Sequence, residues 1–409
     1  MRVSVVVVSR DRPDALSRCL TGLSQLYHPA FEIVVVADPA GLAAAQRHAV
    51  GPHIRIVPFA EPNISAARNA GIAASGGDII AFIDDDAVPE PGWLDHLCAP
   101  FADPKTDATG GYVIGRNGIS FQWAARQVDA SGVAIDLPMS GNSPQQPTVQ
   151  PDHSVKLEGT NMAIRRTVLS TLGGFDPAFA FYLDETDLCL RLTQDGHRTT
   201  LVPRALVHHG YAASPRRRPD RAPLTLFDIG ASSRAFWQKH LPAIEHATAR
   251  TGLLSEQRAR LLRLMQRGTL EPRDVRRLIA TLHDGLATAR VPQSVDLPPP
   301  PDFMPLPPGF RPTGATVLSG GIRDGARLRE QAAALRAQGR IVTALQLSRT
   351  ALYHRVEFRQ PGIWWQTGGI YGRSLRDGPA FIAITRADRV HREKERLCDR
   401  QGTAQNESR

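Results

Sequence analysis

Residues 3–8, VSVVVV, form an unbroken apolar and β-branched run, the pattern of a strand buried on both faces of a parallel sheet. A polar turn, Ser9-Arg10-Asp11-Arg12-Pro13, follows it. Leu16, Cys19, Leu20 and Leu23 then recur at helical spacing. A second strand, Glu32–Ala37, ends at Asp38. A helix over 41–49, a strand near Ile54–Pro58, a loop and helix over Asn63–Ser75 and a buried strand at Ile79–Ile83 come next. This last strand runs into Asp84-Asp85-Asp86. Strands alternating with helices over short loops predict a doubly wound α/β domain. Ligands of such sheets bind at the carboxyl ends of the strands, where Ser9, Asp11, Asp38 and the aspartate triplet fall.

The pattern weakens over 106–155, where Gly, Pro, Gln and Ser point to strands and a mobile loop beside the site. Helices return at Arg166–Leu172 and Glu185–Asp195, and a strand near 198–207 closes the domain at about residue 240. Residues 241–290 read as a helical extension and 291–313 as an extended, semi-rigid Pro-rich linker. Beyond it, Ala315–Leu318, an Arg-rich helix over 324–338 and Ile341–Leu347 make one β-α-β unit. Tyr353–Gly372 and a charged tail follow, and the C-terminal accessory unit spans 314–409. With 409 residues, more than one globular unit is expected, since single cores stop growing at roughly 250–300 residues.

Lys and Arg exceed Asp and Glu by 49 to 40. The excess suits a phosphorylated ligand, an anionic membrane surface or an Arg-rich solvated face. No zinc-finger spacing or aromatic–basic RNA signature accompanies it, so nucleic acid is not expected. Cys19, Cys98, Cys189 and Cys398 lie in no CxxC and fit no zinc site, which favours a reducing cytoplasm. No signal peptide is expected, because the first apolar run lacks a cleavage site, and no stretch reaches the roughly 18–20 apolar residues that span a bilayer. A cytoplasmic protein is expected, with membrane contact peripheral at the inner face.

Three carboxylates at a strand end repel one another unless donors or a cation compensate, and a hard divalent cation with a diphosphate is the common solution. A solvated acidic turn is the alternative for such a triplet in isolation. The surroundings are specific. VSVVVVSRDRPDALSRCLTGL, IVVVAD, NISAARNAGIAASGGDIIAFIDDDAVPEPGWL, GTNMAIRR, GGFDPAF, YLDETDLCLRL and VPRALVHHG occur in that order over about half the chain. The ordered set resembles the family-2 inverting glycosyltransferases of the GT-A fold.

That resemblance implies a GT-A type doubly wound mixed sheet, a nucleoside diphosphate sugar donor and a Mn²⁺ or Mg²⁺ cofactor. It implies a glycan or lipid-linked acceptor. Ser9, Asp11 and Asp38 would line the nucleoside pocket, with Arg68 and Asn69 on the nucleotide side and Asp84 and Asp85 toward the donor. Asp86, with His209 or His208, would hold the metal. Gly159, Thr160 and Asn161 would face the acceptor. Asp184 and Glu185 stand in reverse order to the family's usual acidic motif, so either is the candidate base. Asp187 and Arg191, one turn apart, read as a structural pair. Gly320-Gly321 reads as a plain turn, and Trp364-Trp365 as a docking patch in preference to a carbohydrate platform. Two other functions share the fold. A nucleotidyltransferase would need a glycine-containing phosphate loop, which SRDRPD lacks, and a non-catalytic binding protein would not need the full set of acidic residues.

Overall fold

The computed structural model describes residues 1–210, 218, 220 and 222–401, the last three by backbone alone. β1 (Val3–Ser9), α1 (Pro13–Leu23), β2 (Phe31–Ala37), α2 (Pro39–Arg47), β3 (Arg55–Pro58), α3 (Ile64–Ala73) and β4 (Ile79–Asp84) alternate along the N-terminal part. Proline sits in the first turn of α1 and of α2, where its missing N–H costs no helical bond. Asn63 caps α3 by accepting from the N–H of Ala66 at 3.0 Å. β5 (Ala87–Pro89), α4 (Trp93–Cys98), β6 (Ala108–Ile114), β7 (Phe121–Trp123), β8 (Arg126–Asp129), β9 (Ala134–Asp136) and β10 (His153–Val155) follow. β11 (Met162–Arg165), α5 (Arg166–Thr171), α6 (Asp184–Gln194) and β12 (Thr199–His209) complete this part.

Among the described residues the main sheet runs β3-β2-β1-β4-β11-β6-β12-β5, with β7 paired to β6. β1 to β4 are parallel, β11 is antiparallel to both its neighbours, and β12 is antiparallel to β5. The result is a mixed α/β sheet. Val3, Val5 and Val7 pack under α1 and α4, while Val6 packs on the opposite side with Ile72 and Phe82. Both faces of β1 are therefore core, which explains its unbroken apolar run.

α7 (Phe227–His240), α8 (His246–Gln266) and α9 (Pro272–Ala287) form a helical layer. Phe236, Leu261, Leu278 and Leu282 share a core with Phe179 and Leu190 of the sheet domain. The Pro-rich segment does not stand clear as a spacer. It straps the back of the sheet: Val295 donates to the carbonyl of Gly173 and Leu306 to that of Phe31, each at 2.9 Å. The buried carboxylate of Glu32 accepts from Met304 N–H at 2.8 Å as well as from Ser4. Proline cannot join a sheet ladder, but the non-proline N–H groups between the prolines can, and they fix the strap.

The C-terminal unit is larger than one β-α-β. β13 (Ala315–Gly320), α10 (Gly325–Ala337), β14 (Ile341–Ser348), β15 (Arg355–Arg359) and β16 (Ile363–Gly369) form a sheet of order β13-β14-β16-β15, closed by α11 (Arg386–Gln401). The charged tail is helical because its inward face carries Arg389 and Glu393 as an ion pair beside Leu397, so its buried stripe is not an apolar one. Gly320-Gly321 turns between β13 and the helix, with Gly321 N–H donating to Asp324. Trp364 packs against His208, ring centroids 4.8 Å apart, and docks the unit on β12. Trp365 lies in the unit's own core.

Candidate active site

β4 ends in Asp84, and the antiparallel pairing of β12 with β5 sets His209 opposite Ala87. This register brings the imidazole of His209 to the aspartate turn. Its Nε2 lies 3.2 Å from Asp86 and 4.0 Å from Asp84. One ligand atom from each of Asp84, Asp86 and His209 falls within 4.8 Å of the others. The Nδ1 of His209 lies 3.0 Å from Oε1 of Gln122, and Trp123 packs 5.7 Å from its ring. A proton held on Nδ1 by Gln122 leaves Nε2 as the ligand atom. Burial works against a charged His209, but Asp86 and Asp84 overcome it and raise its pKa. Two carboxylates and an imidazole at this spacing fit Mn²⁺ or Mg²⁺ in donor type. His208, next along the strand, points to the other face. Its Nε2 meets Glu90 at 2.9 Å, and burial lowers its pKa to about 3, so the ring is neutral and structural.

Asp85 does not join the group of three. It accepts from Ser9 at 2.8 Å and from Arg12 at 2.9 Å. Burial pushes its pKa up to about 7 against the pull of Arg12, with Asp86 and Asp84 adding repulsion. Arg12 also lies 3.5 Å from Asp86. Asp11 has φ 58°, a left-handed conformation that aspartate tolerates, in the turn that precedes Arg12. Asp38 is buried and caps α2 by accepting from Gly41 N–H at 3.1 Å.

Arg68 links the two acidic groups. Its guanidinium donates to Asp184 and lies 3.6 Å from Asp84, over the ring of Phe175. A side chain at Gly159 would strike that guanidinium, so glycine there makes room for Arg68. Thr160 accepts from the N–H of Asp84 at 3.3 Å and steadies the turn. Asn161 is fully buried: it accepts from Trp93 at 2.7 Å and donates to the carbonyls of Tyr112 and Ala205. Its amide is committed to the scaffold and offers nothing to an acceptor. Asn69 is committed in the same way, to the N–H and carbonyl of Phe175.

Asp184 and Glu185 open α6, after Tyr182 and Leu183 at φ 75° and 65°. Two successive non-glycine residues in the left-handed region are costly, and such strain gathers at functional sites. The side chain of Asp184 is 5% exposed and faces Arg68, whereas that of Glu185 is 20% exposed. Burial, helped by the charge of Glu185, raises Asp184 to about 7. Burial would raise Glu185 too, but Lys156 at 2.7 Å overrides it and holds the group ionised, at about 2. Asp187 pairs with Arg191 at 2.7 Å and also meets Lys239 and His240, away from the cleft.

Arg12, Lys156, Gln122 and Trp123 escaped the sequence reading. Arg12 stands inside a quoted motif, and Lys156 lies three residues before Gly159, but their carboxylate partners are distant in the chain. The sequence also carries a basic run, Arg216-Arg217-Arg218, a candidate for a basic face toward anionic lipid, and its first two residues lie outside the described residues. Arg218 pairs with Asp220 at 2.8 Å.

The model of the family described as "Glycosyl transferase family 2" matches residues 4–173 of this chain. Its relatives include the pre-mycofactocin glycosyltransferase of Mycobacterium tuberculosis, 28% identical over 52% of this chain and 44% of that protein. The O-antigen biosynthesis protein RfbC of Myxococcus xanthus is 28% identical over 54% of this chain and 18% of its own length. The chain thus spans less than half the length of these two relatives. Among solved structures, GalNAc-T7 with UDP, GalNAc and Mn²⁺ matches 59% of this chain and 49% of its own, with TM-score 0.47 and 18% identity. Among the described residues, no helix is long and apolar enough to cross a membrane.

Proposed function

We propose that this chain is an inverting glycosyltransferase that moves a sugar from a nucleoside diphosphate to a hydroxyl of a glycan or lipid-linked acceptor. The observation that carries the reading is the link made by Arg68. It joins a cation-suited group, Asp84, Asp86 and His209, to an acidic pair that opens α6.

Asp84, Asp86 and His209 would hold Mn²⁺ or Mg²⁺, which when bound neutralises charge on the donor's diphosphate. Ser9, Asp11 and Asp38, at the carboxyl ends of β1 and β2, border the nucleoside. Asp85, fixed by Ser9 and Arg12, faces the same side. Arg12 and Arg68 supply fixed positive charge where the leaving group gains negative charge. Glu185 is the base, because a group that removes a proton must reach the acceptor, and it is the more accessible of the two carboxylates. The acceptor oxygen forms a bond to the anomeric carbon, the bond from that carbon to the phosphate oxygen breaks, and the acceptor's proton passes to Glu185. Asp184 holds Arg68 in place.

The test is calorimetry of nucleoside diphosphate binding with and without Mn²⁺. Asp86→Ala should weaken the Mn²⁺-dependent affinity by about tenfold or more while leaving the circular dichroism spectrum intact. Unchanged metal-dependent affinity would remove this site from the reading. The anomeric configuration of the product, read by NMR, tests inversion.

A further inference from the structure

Two loops meet at the carboxyl edge of the C-terminal sheet, residues 349–355 after β14 and residues 371–382 after β16. Their backbones are tied together. His354 N–H donates to the carbonyl of Arg373 at 2.8 Å and Tyr371 N–H to that of Thr350 at 3.2 Å, while within the second loop Ile382 N–H donates to the carbonyl of Tyr371 at 2.9 Å and Gly372 bridges to Phe381. Gly369, at the end of β16, donates to the carbonyl of Leu352.

Four large apolar side chains of this pair are exposed. Leu352 is 65% exposed, Tyr353 56%, Leu375 50% and Phe381 59%. Single exposed apolar residues are ordinary, but four large ones on two bonded loops form a patch. Around it stand Arg349, Arg355 and Arg376, all exposed, and Arg373, whose guanidinium lies 5.2 Å from the ring centre of Tyr353. Arg355 opens β15 and pairs with Glu357 at 2.6 Å, and Asp377 is the one acidic residue in the two segments, so Arg349, Arg373 and Arg376 against it leave two net positive charges.

The patch also has a place relative to the site. Val356, at the start of β15, donates to the carbonyl of Asn117 at 3.0 Å, and Gly118 packs on the same strand. That loop leads directly into Gln122 and Trp123, which hold His209.

We propose that these two loops dock the protein on an anionic lipid bilayer, with the four apolar side chains at the acyl boundary and the arginines on headgroup phosphates. Charge decides the occupant. A second copy of this patch would bring two net positive charges against two, whereas an anionic headgroup layer complements them. The docking places the rim of the site beside the bilayer, where a lipid-linked hydroxyl would be presented. That purpose rests on the proposed transfer reaction, but the lipid contact itself does not.

The experiment is vesicle sedimentation of the whole chain, without donor or acceptor, on phosphatidylcholine with and without phosphatidylglycerol, at low and high salt. Binding is expected on the anionic vesicles, weakened by salt and weak on phosphatidylcholine alone. The double variant Leu352→Ser, Phe381→Ser should lower the partition coefficient by about tenfold or more. Arg349→Gln and Arg376→Gln should each lower it about fivefold. Mn²⁺-dependent nucleotide binding should be unchanged in all of them, which reports that they are folded. Variants that partition like the parent, or a parent that ignores anionic vesicles, would overturn the proposal. So would concentration-dependent self-association that the double variant abolishes without any lipid binding, since the patch would then belong to a second copy. Failure of nucleotide binding in the parent would instead count against the transferase reading and leave the lipid result standing.

Discussion

The ammonium of Lys156 sits 2.7 Å from Oε1 of Glu185, with its own side chain only 6% exposed. Desolvation alone would push a carboxyl in that position toward neutrality, and the lysine reverses the outcome. Glu185 therefore stays ionised beside an Asp184 that takes up a proton near neutrality. Glu185→Gln keeps the size of the side chain and removes its charge. It should lower turnover by about 10²–10⁴-fold while donor affinity, measured by calorimetry, stays near that of the parent. Normal turnover in this variant would assign the pair a structural role.

Asp184 predicts a pH dependence. Its carboxyl, raised to about 7 by burial first and by Glu185 second, is neutral below that pH and charged above it. Its hold on Arg68 weakens as it takes up a proton, so the transfer rate of the parent should fall as pH drops through about 7. Glu185, held at about 2, contributes no change in that range. Asp184→Asn should keep measurable transfer and abolish the acid limb. If it eliminates transfer at every pH while Glu185→Gln does not, Asp184 is the base instead.

The N-terminal fold was readable because its strands are buried on both faces and its helices begin at prolines and caps, which are local signals. The aspartate turn and His209 were readable as candidates, but their convergence depends on the register of β12 against β5, which no local pattern encodes. Asn161 and Asn69 looked like binding groups because a buried, fully bonded amide and a ligand-facing one are the same letter in a sequence. Lys156 was overlooked for the opposite reason. An isolated lysine reads as solvent-exposed, and only the fold sets it against Glu185 and Glu158. The strap over 291–313 read as a spacer, since its attachment runs through scattered N–H groups rather than side-chain periodicity.

The contact between Trp364 and His208 couples the C-terminal unit to the strand that carries His209. His208 is neutral and bonded to Glu90, so its ring is fixed on two sides. Trp364→Ala should open a hole at this junction, loosen the end of β12 and weaken Mn²⁺ affinity by about tenfold. Trp364→Phe should retain most of that affinity because the ring contact survives. Titration of free Mn²⁺ by electron paramagnetic resonance measures both. Equal affinity in parent and Trp364→Ala would confine the C-terminal unit to a role away from the metal group.

Asp187 ties α6 to the end of α7. Its fully buried carboxylate meets Lys239 and His240 at 2.8 Å and Arg191 at 2.7 Å. Burial opposes ionisation, but the His240 bond and the charges of Arg191 and Lys239 prevail and lower its pKa to about 2. A depressed pKa means that the folded state releases this proton more readily than the unfolded chain does. The stability it contributes is therefore present above the ordinary aspartate value of 3.8 and disappears as pH falls toward about 2. Asp187→Ala leaves three cationic or polar partners without their shared acceptor in a dry site. It should cost about 3–5 kcal/mol at neutral pH by urea unfolding. Asp187→Asn should cost less, because it keeps an acceptor oxygen. The gap between parent and Asp187→Ala should narrow as pH falls from 4 toward 2, as the parent carboxylate takes up its proton. A gap that stays constant across that range would mean that packing, not charge, makes Asp187 matter.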